Sequence, residues 1–427
     1  MQIYVVKPGD TMFAIAQKYG VSVQRIIIDN GLPPWGPIIP GQALLILFPD
    51  VVHTIKAGEN LITIARQYNT TVLELVQNNP DLIYQQTLQP RQQLTISFKA
   101  PKERAITING YAYPFVDRNT LLSTLPYLTM LTIFGYGFTE NGELIEIDDE
   151  TLIKLALDFS VKPILLLSSI TETGTFSGER ASYLFNSIAF QNALIEKLIK
   201  KMKQKGYLGI DIDFEFIKPA DAAAYLAFLR NITSKMHANG FSVNVDLAPK
   251  TSAAQQGLLY EAHDYRRFGE IADTVLLMTY EWGYTFGPPM AVAPINKVNE
   301  VVSYALTEIP PQKIIMGIPN YGYVWTLPYI QGRTQASSIG NQQAVFIARR
   351  YGANIHYDET AQAPFFSYYT PRGSERVVWF EDVRSIKAKM DVISQNAMLG
   401  AGYWNVMRPF VQNWSYLNAR FEITKLV

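Results

Sequence analysis

The apolar positions divide the chain into two parts. From residue 105 onward, short apolar runs of strand character alternate with longer segments whose apolar residues recur at helical spacing. The runs are AITINGYAY, MLTIFGYGF, KPILLLSS, YLGIDIDFE, FSVNVDLAP, TVLLMTYE, KIIMGIPNYG and LGAGYWNV. Between the third and fourth lies FQNALIEKLIKKMKQKG, where positions 194, 195, 198, 199 and 202 form one apolar stripe and the lysines a solvated face. Eight strands alternating with helices over roughly 320 residues predict an α/β fold, a (β/α)8 TIM barrel spanning 105–427. Extra sequence between the seventh and eighth strands, around 326–380, predicts a small α+β insertion forming one wall of a cleft. It reads as a helix (AVFIARRYG) followed by short strands (ANIHYDE, FFSYYTP, RVVWFED).

Before residue 105 the pattern repeats itself. YVVKPGDTMFAIAQKYGVSVQRIIIDNG from Tyr4 matches HTIKAGENLITIARQYNTTVLELVQNNP from His53, an offset of 49 residues. Lys7/Lys56, Gly9/Gly58, Ile15/Ile64, Ala16/Ala65, Tyr19/Tyr68, Val23/Val72 and Asn30/Asn79 are identical in the two copies. Each copy reads strand, helix, helix, strand, with capping chemistry at Asp10-Thr11 and Glu59-Asn60. The copies span 2–48 and 51–98, and KAPKERA (99–105) reads as a polar linker. This βααβ pattern resembles the LysM module, a small carbohydrate-binding unit. The resemblance implies a shallow groove for N-acetylglucosamine-containing glycans between two loops of each copy. Its candidate residues are Gly9, Asp10, Thr11 and Ile39 in the first copy, and Gly58, Glu59, Asn60 and Gln89 in the second. Two copies in tandem would raise retention on a polymer through effective concentration.

The fourth strand of the larger part, YLGIDIDFE, carries three acids. Side chains alternate across a strand, so Asp211, Asp213 and Glu215 share one face, and Ile210, Ile212 and Phe214 the other. In a barrel the apolar face packs under helices and the acidic face looks inward, where branched apolar residues are the rule. Burying three acids costs several kcal/mol or makes them take up protons. An ion-pair network would need inward-facing bases, and the neighbouring runs offer almost none. Catalysis suits the arrangement better. Glu215 lies nearest the C-terminal strand end, with Asp213 and Asp211 stepping down behind it at about 6.6 Å per two residues. Nearby negative charge and partial burial raise a carboxyl pKa, as a general acid requires. Because 213 and 215 project from the same side, neither can easily attack an anomeric carbon from behind. The nucleophile would then be the substrate's own 2-acetamido oxygen.

Composition removes other classes. There are 37 basic and 37 acidic residues, so the chain lacks the basic face that nucleic acid or an anionic membrane needs. It has no cysteine, and four histidines without HExxH spacing. Neither a metal nor a cofactor is expected. No apolar run reaches the roughly 18 residues of a membrane span. The N-terminal MQIYVVKPGD lacks a basic n-region and a long h-region, so no classical signal peptide is expected.

The segment LGIDIDFE (208–215) resembles the DGxDxDxE signature of glycoside hydrolase family 18, with Leu208 in place of the first aspartate. MTYE (278–281) resembles its sixth-strand MxYD, with Glu281 replacing aspartate; GIPNYG resembles its seventh-strand GxPxYG; and GYWNV places a tryptophan at the end of strand eight. The resemblance implies a retaining, substrate-assisted reaction with Glu215, Asp213, Asp211 and Tyr280 as catalytic residues. Met278, Glu281, Trp404, Tyr321 and Phe216 would contact the substrate. Two LysM-like copies ahead of such a barrel, without a secretion signal, resemble one group within the family: the spore cortex-fragment-lytic N-acetylglucosaminidases of endospore-forming bacteria. That implies hydrolysis of cortex peptidoglycan during germination, a location in the coat and cortex region of the spore, and spore-coat proteins as further partners. A chitinase or general cell-wall glucosaminidase acting on a chitin-like polymer is the alternative. A non-catalytic glycan-binding lectin is more distant, since Glu215 is present.

Overall fold

The computed structural model describes residues 1–34, 36–85 and 87–426. Eight parallel strands form the barrel: Ala105–Ala112, Met130–Phe138, Lys162–Ser168, Gly209–Asp213, Ser242–Leu247, Thr274–Leu277, Ile314–Pro319 and Gly400–Trp404. Each pairs with its neighbours in sequence order, and the first pairs with both the second and the eighth, closing the ring. Helices lie between the strands, and the largest apolar core fills the layer between strands and helices. Phe214 illustrates that layer: it is fully buried with Phe185, Phe228 and Tyr225 at centroid distances of 5.2, 5.9 and 5.9 Å. Burying such a ring contributes about 1.5–3 kcal/mol. The fourth strand therefore cannot slip by one residue without driving three acids into an aromatic cluster.

Between the seventh and eighth barrel strands lies a five-stranded antiparallel sheet, in spatial order Ser337–Ile339, Gly322–Thr326, Glu375–Trp379, Ala363–Tyr369 and His356–Asp358. The helix Asn341–Tyr351 packs on it. The pattern anticipated the helix and the last three strands. The first two were missed, because NYGYVWTL continues the apolar run of the seventh strand without a turn signal.

The two copies each hold an antiparallel strand pair, Gln2–Val5 with Ala43–Ile46 and Pro49–Thr54 with Gln93–Phe98, over two short helices. Their shared asparagines explain themselves. Asn30 donates to the carbonyls of Ile26 and Leu45 and accepts from the Leu45 amide; Asn79 does the same with Leu75 and Thr95. Each thus ties the second helix to the last strand with three bonds inside a small core, where an orphaned amide would cost about 1–3 kcal/mol.

The copies are fastened to the barrel. Gln412 Nε2 donates to Asn30 Oδ1 (2.7 Å) and the Ala43 carbonyl (2.9 Å). Asn418 donates to Asn78 (2.8 Å), and across the second interface Gln77 donates to the Pro126 carbonyl while the Tyr127 hydroxyl donates to the Gln77 carbonyl. Segment 99–105 is tied down as well: Lys102 reaches Asn418, the Glu103 amide donates to the Arg420 carbonyl, and Arg104 donates to the Met398 carbonyl. Among the described residues no helix is long and apolar enough to cross a membrane.

Candidate active site

The acids stand in a hollow of about 300 Å³ at the C-terminal mouth of the barrel. That is the low end of the range for small-ligand sites. Its lining includes Asp213, Glu215, Asp246, Met278, Tyr280, Glu281 and Trp404, with Tyr113, Phe134, Tyr260 and Trp282 around them. Residues from the fourth, fifth, sixth and eighth strand ends thus meet at one point, as barrel geometry dictates.

Asp211 lies deepest and is fully buried. Its carboxyl oxygens are 2.8 Å from the Tyr111 hydroxyl and 2.6 Å from Asn244 Nδ2. The same two groups also face Asp246, at 2.9 and 3.0 Å. Tyr111 has one hydroxyl proton and two carboxyl neighbours. With both aspartates ionised, one carboxylate would meet only the phenol's lone pairs, so the pair keeps a proton between its members. Burial raises the pKa of both, and for Asp246 the adjacent Asp211 and Asp213 push it up further.

Asp213 stands one step above. Its pKa is well above the carboxylate range, first because it is buried and then because Glu215 and Asp211 are close. One of its buried oxygens, Oδ1, has no hydrogen-bond partner among the described residues. Glu215, half-buried, tops the stack; burial raises its pKa and the Glu281 carboxylate adds to the effect. A buried His263 braces this end from behind. It is neutral, pushed down to about 4 by burial, accepts from the Ala248 amide (2.8 Å) and lies 3.2 Å from the Phe214 carbonyl.

Trp404 ends the eighth strand and forms the floor, tilted or edge-on to Phe134 (5.3 Å), Tyr111 (5.8 Å) and Tyr113 (6.0 Å). Tyr280 and Met278 line the hollow. Tyr321 is almost fully buried, and its hydroxyl donates to Glu281, which also takes the Tyr323 hydroxyl at 3.1 Å. The geometry thus makes Tyr321 a support for Glu281. Phe216 departs from expectation. Its backbone enters the left-handed region (φ 55°), turning the ring to the surface, where it is 49% exposed and absent from the lining.

Sequence reasoning missed Asp246, Asn244 and Tyr111. Asp246 sits in FSVNVDLAP at the same parity as Asn244, so two inward polar residues in an apolar run were the available signal.

In the repeats, Gly9 and Gly58 both have φ +86° and open space beside them. Thr11 and Asn60 cap the first helices. Asp10 closes its own loop by accepting from the Lys7 amide and the Tyr4 hydroxyl, both at 2.7 Å. Glu59 does so with the Lys56 amide (2.7 Å) and His53 (2.8 Å). These four side chains are committed within their loops, leaving the glycines and backbone as the open part. Gln89 is exposed. Ile39 is not: it is buried in a core with Val324, Ile339, Phe366 and Phe380 of the insertion, and so is removed from the glycan-contacting set.

The family model for glycosyl hydrolases family 18 matches residues 115–408, and the LysM domain model matches 4–46 and 53–97. The chain is 40% identical to the cortical fragment-lytic enzyme of Bacillus subtilis (strain 168), covering 100% of this chain and 99% of that one. The crystal structure of the Bacillus cereus spore cortex-lytic enzyme SleL superposes with a TM-score of 0.85 at 36% identity, covering 99% of this chain and 98% of that one. The corresponding SleL structure from Bacillus megaterium QM B1551 gives 0.85 at 36%, with coverages of 100% and 99%.

Proposed function

The chain belongs to glycosyl hydrolase family 18 and carries two LysM domains, and we propose that it is a retaining, substrate-assisted β-N-acetylglucosaminidase acting on cortex peptidoglycan fragments during spore germination. The full-length likeness to cortical fragment-lytic enzymes supports the substrate. The observation that carries the mechanism is Asp213, whose buried Oδ1 has no hydrogen-bond partner among the described residues and which lines the hollow together with Tyr280 and Glu215.

In this reading the reacting N-acetylglucosamine lies on Trp404. The Asp213 carboxyl takes the acetamido N–H, and the Tyr280 hydroxyl donates to the acetamido oxygen. That oxygen attacks the anomeric carbon as the glycosidic C–O bond breaks, and Glu215 passes its proton to the departing oxygen. Water then adds to the anomeric carbon from the face the leaving group vacated and returns a proton to Glu215. Configuration is retained through two inversions. The Asp211–Asp246 pair, already holding a proton, lessens the negative charge that opposes ionisation of Asp213 as it bonds the acetamido N–H. For retention on the polymer, the second module is the better candidate, since its loops Gly58–Asn60 and Gln89–Arg91 are largely open while Ile39 of the first is buried.

Mass spectrometry of cortex fragments after incubation should find N-acetylglucosamine at the new reducing ends. Glu215→Gln should lower turnover by roughly 10²–10⁴-fold while retaining cosedimentation with insoluble glycan. Asp213→Asn should lower kcat more than it raises KM. Unchanged hydrolysis by the Glu215 variant would reject the assignment of the acid.

A further inference from the structure

The hollow holding the acids continues past Trp404 into a second one of about 310 Å³. Tyr113, Glu281 and Trp404 line both, so the two are halves of one cleft. Glu215 lines only the first and Arg408 only the second. This fixes direction along a bound chain. The departing oxygen lies toward Glu215, so the sugar preceding the reacting one, on its non-reducing side, occupies the Arg408 half.

Arg408 is half-buried and makes no ion pair with a carboxylate among the described residues. Among the described residues its guanidinium bonds only to Ser338, through Nη1 to the hydroxyl at 2.7 Å and Nη2 to the carbonyl at 3.4 Å. Glu281 shares this half of the cleft, but its carboxylate is taken up by Tyr321 and Tyr323. Arg420 shows the contrast. Burial opposes its charge too, yet bonds to Glu103, Tyr416 and Asp391 leave its pKa raised, whereas burial leaves that of Arg408 lowered. At the rim, Phe115 is 77% exposed and stacks on Tyr113 at 5.2 Å, giving a sugar ring an apolar face to lie against. A desolvated guanidinium with free donors, beside an aromatic face and one sugar away from the cleavage point, is built for a carboxylate.

Peptidoglycan alternates N-acetylglucosamine with muramic acid, whose 3-O-lactyl arm ends in a carboxyl that is free wherever no peptide is attached to it. With N-acetylglucosamine at the cleavage point, the sugar before it is a muramic residue. We propose that Arg408 recognises a carboxylate on that residue, and that this contact selects peptidoglycan over neutral chitin-like chains. The inference rests on the glucosaminidase reading above and goes beyond it by naming what the neighbouring subsite reads.

The test compares wild type, Arg408→Gln and Arg408→Lys on three substrates: chito-oligosaccharides, glycan strands with free lactyl carboxyls, and the same strands with those carboxyls capped as methyl amides. In Arg408→Gln, the ratio of kcat/KM on free-carboxyl strands to that on chito-oligosaccharides should fall about 10- to 100-fold. Lys should restore part of it, and capping should lower the wild-type ratio to that of the Gln variant. Strands that keep their peptides form a further arm; a loss confined to them would place the recognised carboxylate on the peptide. Equal losses on neutral and muramic substrates, or none on either, would overturn the role of Arg408 and leave the glucosaminidase reading intact. Failure of the wild type to cut any muramic strand would overturn both.

Discussion

In the first LysM domain the turn Ile39–Gln42 runs into the barrel's insertion; in the second, Gln89, Pro90 and Arg91 of the equivalent turn lie in solvent. The two turns are otherwise alike. Each closes with a glutamine side chain accepting from the first amide at 3.3 Å, and each has a left-handed third residue, Gly41 at φ 84° and Arg91 at φ 72°. The first requires glycine because the Ile355 carbonyl oxygen would sit 1.7 Å from an added Cβ. The second carries an arginine in the same backbone region because nothing comparable crowds it. The interior fixes the fold of a repeat, through Asn30 and Asn79 and the helix caps, and the neighbour decides what its surface turns can still do. One copy has become part of the barrel's frame, while the other keeps the matching turn in solvent.

The largest expected effect tests that division directly. Gly41→Ala adds strain at positive φ to a clash with backbone, and should cost about 2–4 kcal/mol in denaturant unfolding. Arg91→Gly, at the matching site, should change stability by under about 1 kcal/mol, since it relieves strain without opening a cavity. Similar values for the two would break the comparison. Next comes Gln89→Trp, which obstructs the open turn. It should weaken cosedimentation with insoluble peptidoglycan about tenfold, or ~1.4 kcal/mol, at unchanged thermal stability. Unaltered retention would mean that the second copy's loops are not where glycan is held. The smallest effect is a swap. His53 and Tyr4 are matching residues that hold Glu59 and Asp10, so His53→Tyr should alter stability by less than about 0.5 kcal/mol. Both carboxylates are held below their ordinary range, Asp10 by the Lys7 amide and then Tyr4, Glu59 by the Lys56 amide and then His53. A group held low adds stability above its unfolded pKa and loses it as pH falls through the folded value. Protection of the Lys7 and Lys56 amides, relative to their intrinsic exchange, should therefore fall only below about pH 4, in wild type and swap alike. Protection that survives unchanged below that range in either protein would show that the carboxylate does not hold its loop.

The barrel was legible because each strand is short, apolar and bounded, and alternation alone put Asp211, Asp213 and Glu215 on one face. The repeat was legible because one core is written twice. What escaped depends on residues far apart in sequence. Ile39 reads as an exposed loop residue until Phe366 and Phe380, more than 300 positions later, close over it. Asp246 reads as one acid in an apolar strand until Tyr111 and Asn244 bring it against Asp211. Phe216 obeys alternation only if the strand continues, and the strand ends at Asp213. Local pattern specifies elements and faces; it does not specify which distant surface will cover them.

The helix Val411–Arg420, which follows the eighth strand, touches both LysM domains, through Gln412 at one end and Asn418 toward the other. Both domains are therefore fastened to one helix of the barrel, at a set offset from the cleft instead of swinging on a leash. If the second domain holds glycan as proposed, a strand captured there would meet the cleft at a spacing set by the protein, and scissions should fall at intervals counted in whole disaccharides from the point of capture.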